Sequence, residues 1–320
     1  MSLEDFKSIY YMEYTHRVLG RVIGLAFVLP ATYFILRKQV PRKFAYGLGA
    51  VGALIGFQGF LGWWMVKSGL KEEELQAQDG VPRVSQYRLA AHLGTAFGVY
   101  SLMLLMGLSV LKKNKFLRMD AAARKVWTDS LATPEVRRFR GKMIGLSHMI
   151  FITALSGTVS QDNTLTSGAL VAGLDAGLIY NEFPMMGKGL TPPIKELFNP
   201  YYAHTSNPSW FSTIAHNIGE NPVLAQLDHR ILAVTTFTLT SLYWLYALRR
   251  PLPPPIKRGM NTVMGFAVLQ VALGISTLIY LVPTHLAATH QAGSVALLTA
   301  VLVLVSRLRA PTLTRLIKKV

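Results

Sequence analysis

An all-α, polytopic membrane protein is the fold class that this 320-residue sequence predicts, on three observations. Apolar residues make up 51% of the chain and charged ones only 15%, with a mean hydropathy of +0.33, whereas a soluble domain carries roughly 25% charge. Apolar runs about 20 residues long recur, the length a helix needs to cross a hydrocarbon core about 30 Å thick. An internal repeat maps one half of the chain onto the other.

The elements follow in order. A first span, 14–36, opens on EYTHRVLGRVIG and stops at the basic cluster 37–43. A second, 44–66, runs back to a polar loop at 67–87, and a third, 88–111, ends on the segment 112–142, which holds 10 Lys/Arg. A fourth begins near 142, but 143–157 (MIGLSHMIFITALSG) is too short to cross, and the polar run 158–168 (TVSQDNTLTSG) separates it from ALVAGLDAGLIY. Burying Gln161, Asp162 and Asn163 in hydrocarbon costs several kcal/mol unless they are paired or bulged toward water. Next comes an outer loop of about forty residues, of a length that is either a lid or a poorly structured linker. Spans at 224–248, 261–283 and 287–307 complete a count of seven.

The charges set the orientation. If the chain weaves, 37–43, 112–142, 249–258 and 307–320 share one side and hold 23 of the 33 Lys+Arg but only three of the 16 acidic residues, Asp120, Asp129 and Glu135. Such asymmetry is the positive-inside signature, and it explains the net charge of +17 without nucleic acid. The absence of cysteine excludes disulfides, thiolate metal sites, iron–sulfur ligation and a cysteine nucleophile. The opening MSLEDFKSIYYMEY carries neither a signal-peptide nor a transit-peptide pattern; a leader already removed or an incomplete N-terminus is the expectation.

The repeat pairs EYTHRVLGRVIG (13–24) with QLDHRILAVTTF (226–237), Gln58-Gly-Phe-Leu-Gly62 with Gln270-Val-Ala-Leu-Gly274, and His92-Leu-Gly-Thr-Ala with His290-Gln-Ala-Gly-Ser. The second half has four spans and the first three. The expected plan is therefore two pseudo-symmetric four-helix bundles with the first of eight helices missing from this chain. Its divisions are an N-terminal half-bundle at 1–111, a basic loop at 112–141, a C-terminal four-helix half-bundle at 142–310 and a basic tail at 311–320.

His16, His92, His229 and His290 each fall in the first few residues of a span descending from the outer side. Imidazole is the commonest protein ligand for iron, and polar groups within a membrane are functional candidates. Two helices each offering one His can clamp a porphyrin edge-on through bis-His coordination. A flat macrocycle needs small side chains one turn along, at i+4. Gly20, Ala96, Ala233 and Ser294 supply them, whereas His148, His204, His216 and His285 are followed by Ile152, Pro208, Glu220 and Thr289. A lone His near a helix end is usually a hydrogen-bonded structural residue; four of them, paired by a repeat, point to haem.

The halves differ at one position. Glu13 lies three residues before His16, where Gln226 lies before His229. A carboxylate there can relay protons or steer an oxidation; the alternative is an interfacial carboxylate favoured by the helix dipole. Arg17 and Arg230 either meet propionates or anchor at headgroups. Gln58 and Gln270 are expected to bond between helices rather than touch a cofactor.

MEYTHR, PRVSQYRLAAHLG, AGLDAGLIYNEFPMMG, QLDHRILA, LGISTL and ATHQAGS together resemble heme A synthase of the mitochondrial type, over nearly the whole chain. The resemblance implies haem b held by His229 and His290, the substrate haem O held by His16 and His92, and iron ligated through all four. It implies oxidation of one porphyrin methyl to formyl, giving haem A for cytochrome c oxidase, with Glu13 catalytic. It also implies the mitochondrial inner membrane, with ligand-bearing helix ends toward the intermembrane space and the basic loops in the matrix. A ferredoxin-type electron donor is implied, which the basic face can help to dock. Haem O synthase, oxidase assembly factors and a second copy of the chain are candidate partners. The family runs directly from Leu155-Ser-Gly157 to Ala169, so 158–168 is an insertion. The histidines alone equally support a non-catalytic di-haem electron carrier, and the departures from the family leave open an inactive form acting in haem handling or oxidase assembly.

Overall fold

The computed structural model of the chain describes residues 3–68, 84–157, 176–203 and 209–311. Ten α-helices lie within them: α1 (Leu3–Leu36), α2 (Arg42–Ser68), α3 (Gln86–Leu117), α4 (Ala121–Leu131), α5 (Pro134–Ser156), α6 (Ile194–Leu197), α7 (Trp210–Glu220), α8 (Pro222–Arg249), α9 (Pro254–Ile279) and α10 (Thr284–Arg307). Two 3-10 turns, Ala176–Leu178 and Pro200–Ala203, flank α6. The fold is all-α, as the sequence predicts.

Six helices are long and apolar enough to cross a membrane: α1 from Tyr10, α2, α3, α8, α9 and α10. They coincide with six of the seven expected spans. The remaining one is α5, which starts eight residues before 142 because Thr133 caps it, accepting from the Val136 amide, and Pro134 occupies its first turn. Pro at that position costs no hydrogen bond, since the first amides of a helix lack partners. The insertion at 158–168, with Gln161, Asp162 and Asn163, and 169–175 of the apolar continuation lie outside the described residues, as do the loop 69–83, His204 and the tail from 312.

The chain divides into two compact units, one containing 3–68 and 84–103, the other 104–157, 176–203 and 209–311. In the first, α1 packs along α2. In the second, α5 contacts both α8 and α10, and α9 lies against both of its neighbours in sequence. Val136, Phe139, Met143, Leu146 and Ile150 of α5 meet Met260 and Val263 of α9 and Leu298, Val301 and Leu304 of α10 in one core. The i, i+3, i+7 spacing along α5 puts those five side chains on one stripe.

Basic side chains close three helix ends. Lys112 Nζ donates to the Ser306 carbonyl in the last turn of α10 and to the Arg309 carbonyl just beyond it, at 2.6 and 3.0 Å, Arg124 donates to Phe116 O and Leu117 O at the end of α3, and Lys257 donates to Leu248 O of α8. The last carbonyls of a helix have no intrahelical donor and carry partial negative charge, which a cation both bonds and compensates.

The segment between α5 and α8 is not a featureless linker over its described residues. Met186, Leu197, Leu224 and Leu227 form a small core with Tyr180, Phe198 and Val223 beside it. Asn221, fully buried, ties it together: its Oδ1 accepts from the Val223 amide, capping α8, while its Nδ2 donates to Glu196 O at 2.6 Å and Asn217 Oδ1 at 2.8 Å.

Candidate functional site

The site is built on two repeats of one local framework. In the first unit, Gln58 of α2 donates from Nε2 to His92 O at 3.0 Å. In the second, Gln270 of α9 donates to His290 O at 3.1 Å. Both glutamines bond between helices, as expected from the sequence. Four residues on from each, on the same helical face, stands a glycine packed against the imidazole: a Cβ on Gly62 would lie 3.0 Å from His92 Cε1, and one on Gly274 would lie 3.0 Å from His290 Cε1. Gly293 makes room for the Gln270 amide, which a side chain at that position would meet. Each half thus uses a Gln-x-x-x-Gly face to fix the backbone and the ring of one histidine.

The second histidine of each pair comes from the helix that opens the repeat. His16 and His92 lie within electrostatic range of each other, as do His229 and His290. His92, His229 and His290 are half-buried in the second or third turn of α3, α8 and α10. His16 is exposed and lies in the fourth turn of α1, because that helix begins at Leu3 rather than near 14. Gly20, one turn on, has no atom within 4 Å of where its Cβ would sit.

The ring nitrogens separate candidates from bystanders. Nδ1 of both His92 and His290 is buried without a hydrogen-bond partner, and a buried imidazole nitrogen left unpaired is costly unless something binds it. Nδ1 of His148 and of His216 instead bonds the carbonyl four residues back in its own helix, Ile144 O at 2.8 Å and Ser212 O at 2.9 Å. Ser156 Oγ contacts His229 Nδ1 at 3.0 Å, leaving Nε2 as the nitrogen that Ser156 does not engage. Gln58 Nε2 also lies 3.3 Å from His92 Nε2, so Nδ1 is the unpartnered nitrogen of that ring; paired imidazoles with a nitrogen to spare would suit the ligation of a haem iron. Among the described residues no three His, Asp or Glu side chains converge as the cage of a bare metal ion would need.

Glu13 and Gln226 differ as the sequence suggests, with one correction. Glu13 lies about three turns inside α1, so a helix N-terminus does not stabilise it; it pairs with Arg17 one turn on, and both side chains are partly exposed. Gln226 is buried and donates from Nε2 to Tyr180 O at 3.0 Å. Arg230, expected at a propionate or a headgroup, has its guanidinium on backbone carbonyls of the outer segment. It donates to Tyr180 O, Glu182 O and Met185 O at 2.9, 2.9 and 3.1 Å. The outer segment lies over the start of α8, where its carbonyls need donors.

An all-α, multi-pass membrane protein carrying two histidine pairs on a repeated framework is the class that this fold and site define. The cytochrome oxidase assembly protein family model matches residues 1–302, and the chain belongs to that family. It is 44% identical over 309 residues to heme A synthase COX15 of Homo sapiens, covering 97% of this chain and 66% of that protein. It is 40% identical over 315 residues to heme A synthase COX15 of Saccharomyces cerevisiae, covering 97% of this chain and 62% of that one. A heme A synthase-mitochondrial ferredoxin fusion protein of Schizosaccharomyces pombe is 42% identical over 312 residues, 96% of this chain and 48% of the fusion. The chain therefore spans between about half and two-thirds of the length of these curated relatives. No solved structure matches it.

Proposed function

We propose that the chain acts as a heme A synthase of the mitochondrial inner membrane, oxidising a methyl group of haem O to formyl. One observation carries the reading: two copies of a Gln-x-x-x-Gly histidine framework, whose opening histidines differ three residues upstream, where the first half has the carboxylate Glu13 and the second the amide Gln226. His229 and His290 hold a haem b, His16 and His92 hold the substrate haem O, and iron is bound through all four. The bound haem supplies redox chemistry that side chains lack. His92 and His290 are preset by the glutamine bond to their own carbonyls, so little ordering remains to be done on binding. Arg17 orients the Glu13 carboxylate on the face of α1 that carries His16, where it can hold or move a proton at the porphyrin rim. Gln226 holds the outer segment in the equivalent place and has no proton to exchange.

The names of the relatives support the substrate, and the Schizosaccharomyces pombe fusion supports a ferredoxin-type donor. The basic loops, which face the matrix by the positive-inside rule, would help to dock a donor of opposite charge. Purified protein is reconstituted with haem O, ferredoxin and reductant, and the extracted haems are separated. Formyl product from the wild type, lost in Glu13→Ala and in His92→Ala, is the expected result. Two bound haems with no conversion would instead make the chain a di-haem electron carrier. A single haem, lost in His229→Ala and without turnover, would make it an inactive form acting in haem handling or oxidase assembly.

A further inference from the structure

We infer that Ser156 is a positioning residue that sets the tautomer of His229, and thereby which ring nitrogen is offered to iron. The inference rests on the reading of His229 and His290 as haem ligands. Ser156 ends α5, where the Thr153 carbonyl is among the last four of the helix and has no intrahelical amide assigned to it by the helix geometry. The Ser156 hydroxyl donates to Thr153 O at 2.9 Å. A hydroxyl has one proton to give, so at 3.0 Å from His229 Nδ1 the same oxygen acts as acceptor. The proton of the neutral imidazole then sits on Nδ1, and the lone pair sits on Nε2.

Two further contacts keep the ring from turning away. Gly157 follows Ser156, and a Cβ there would collide with the His229 imidazole, so the ring occupies space that only glycine leaves open. One turn deeper, Thr153 Oγ1 donates to Met149 O and therefore accepts from Thr236 Oγ1 at 2.8 Å, which fastens α5 to α8 seven residues along from His229. Ser156 is the last residue of α5 and Gly157 its C-cap; His92 and His290 have no partner on Nδ1. A ligand imidazole that donates its other N–H to an oxygen is a stronger electron donor to the metal, and loss of such a partner typically lowers metal affinity about 10–100-fold.

The test uses the full chain purified with haem b. Retention of haem on serial dilution, the midpoint potential of the low-spin haem and its electron paramagnetic resonance g-values are read for Ser156→Ala, Ser156→Thr, Thr236→Val, His229→Ala and His290→Ala. The expected result is a roughly 10–100-fold loss of haem affinity in Ser156→Ala, with a more positive potential because the ferric state loses donor strength. Ser156→Thr, which keeps the hydroxyl, restores both, and Thr236→Val leaves the potential at the wild-type value. Wild-type affinity and potential in Ser156→Ala would overturn the inference, as would Thr236→Val reproducing the Ser156→Ala shift, since mere loosening of the helix pair would then suffice. His229→Ala and His290→Ala separate the two levels. If both keep the wild-type haem signal, the ligand reading fails; if both lose it while Ser156→Ala is silent, only the role of Ser156 fails.

Discussion

Gly274→Ala adds one methyl group at the point where α9 meets His290, and its effect follows from the geometry. The new Cβ would stand 3.0 Å from Cε1 and 3.4 Å from Nε2 of the imidazole, against about 3.5–4.0 Å for unstrained carbon contacts. The ring or the helix must give by a few tenths of an ångström. The ring's backbone cannot retreat freely, because Gln270 bonds its carbonyl. Overpacking of this kind costs about 1–3 kcal/mol, and alanine returns up to about 1 kcal/mol over glycine within a helix. Gly265, on the same helix, has nothing within 4 Å of its Cβ position, so Gly265→Ala carries the helix term alone. The two variants should therefore differ by about 1–3 kcal/mol, with Gly274→Ala the less stable. Thermal unfolding in detergent measures the difference, and the haem absorption spectrum should shift in Gly274→Ala only. Equal stability together with unchanged spectra in both variants would refute the packing of His290 on Gly274.

Three further outcomes are expected. Asn221→Ala removes the cap of α8 and leaves the Glu196 carbonyl without its donor, while Asn217 Oδ1 keeps the Asn199 amide; about 1 kcal/mol for the cap and about 1–3 kcal/mol for the orphaned carbonyl should appear as a lower denaturation midpoint. Arg230→Ala leaves Glu182 O and Met185 O without this donor, while Tyr180 O keeps Gln226 Nε2, and at about 1.5–3 kcal/mol per bond to a charged donor amide exchange over 181–186 should accelerate at least tenfold, read by mass spectrometry. Tyr180 donates to Glu196 at 2.6 Å, and that bond, then burial and the glutamate charge, raises the phenol above its ordinary value. A raised folded-state value means that the contribution is complete below the unfolded value of roughly 10 and is lost as pH rises through the folded one. Stability of the wild type should fall more steeply than that of Tyr180→Phe in that alkaline range, and parallel profiles would contradict the assignment.

The sequence made some of this legible and hid the rest for identifiable reasons. Six spans and the histidine pairing could be read because hydropathy and an internal repeat are properties of the chain alone. The same holds for Gln58 and Gln270, whose matched positions pointed to a shared structural task. Gly62, Gly274 and Gly157 were invisible as ring-facing positions, since a glycine in a membrane helix has several common uses and only a neighbouring helix reveals which. Ser156 was passed over because its partner lies 73 residues away. Length alone leaves the outer segment either a lid or a linker, because the partners of Asn217 and Asn221 at Glu196, Leu197 and Asn199 and the carbonyls that Arg230 binds lie 18 to 50 residues away in the chain. Glu13 was placed at a helix start because apolarity begins near 14, whereas α1 continues outward to Leu3.

Lys112, Arg124 and Lys257 have a consequence for how orientation can be probed. All three belong to the basic segments whose bias sets the topology, yet each spends its charge on the carbonyl end of a helix. An arriving acidic protein or lipid headgroup meets a weaker field than the count of lysines and arginines suggests. Charge-reversal experiments that include these positions would damage the ends of α10, α3 and α8 and mistake unfolding for inversion. Arg37 and Lys38, just after α1, and Arg42 and Lys43, in the first turn of α2, are the positions where a reversal reports on orientation.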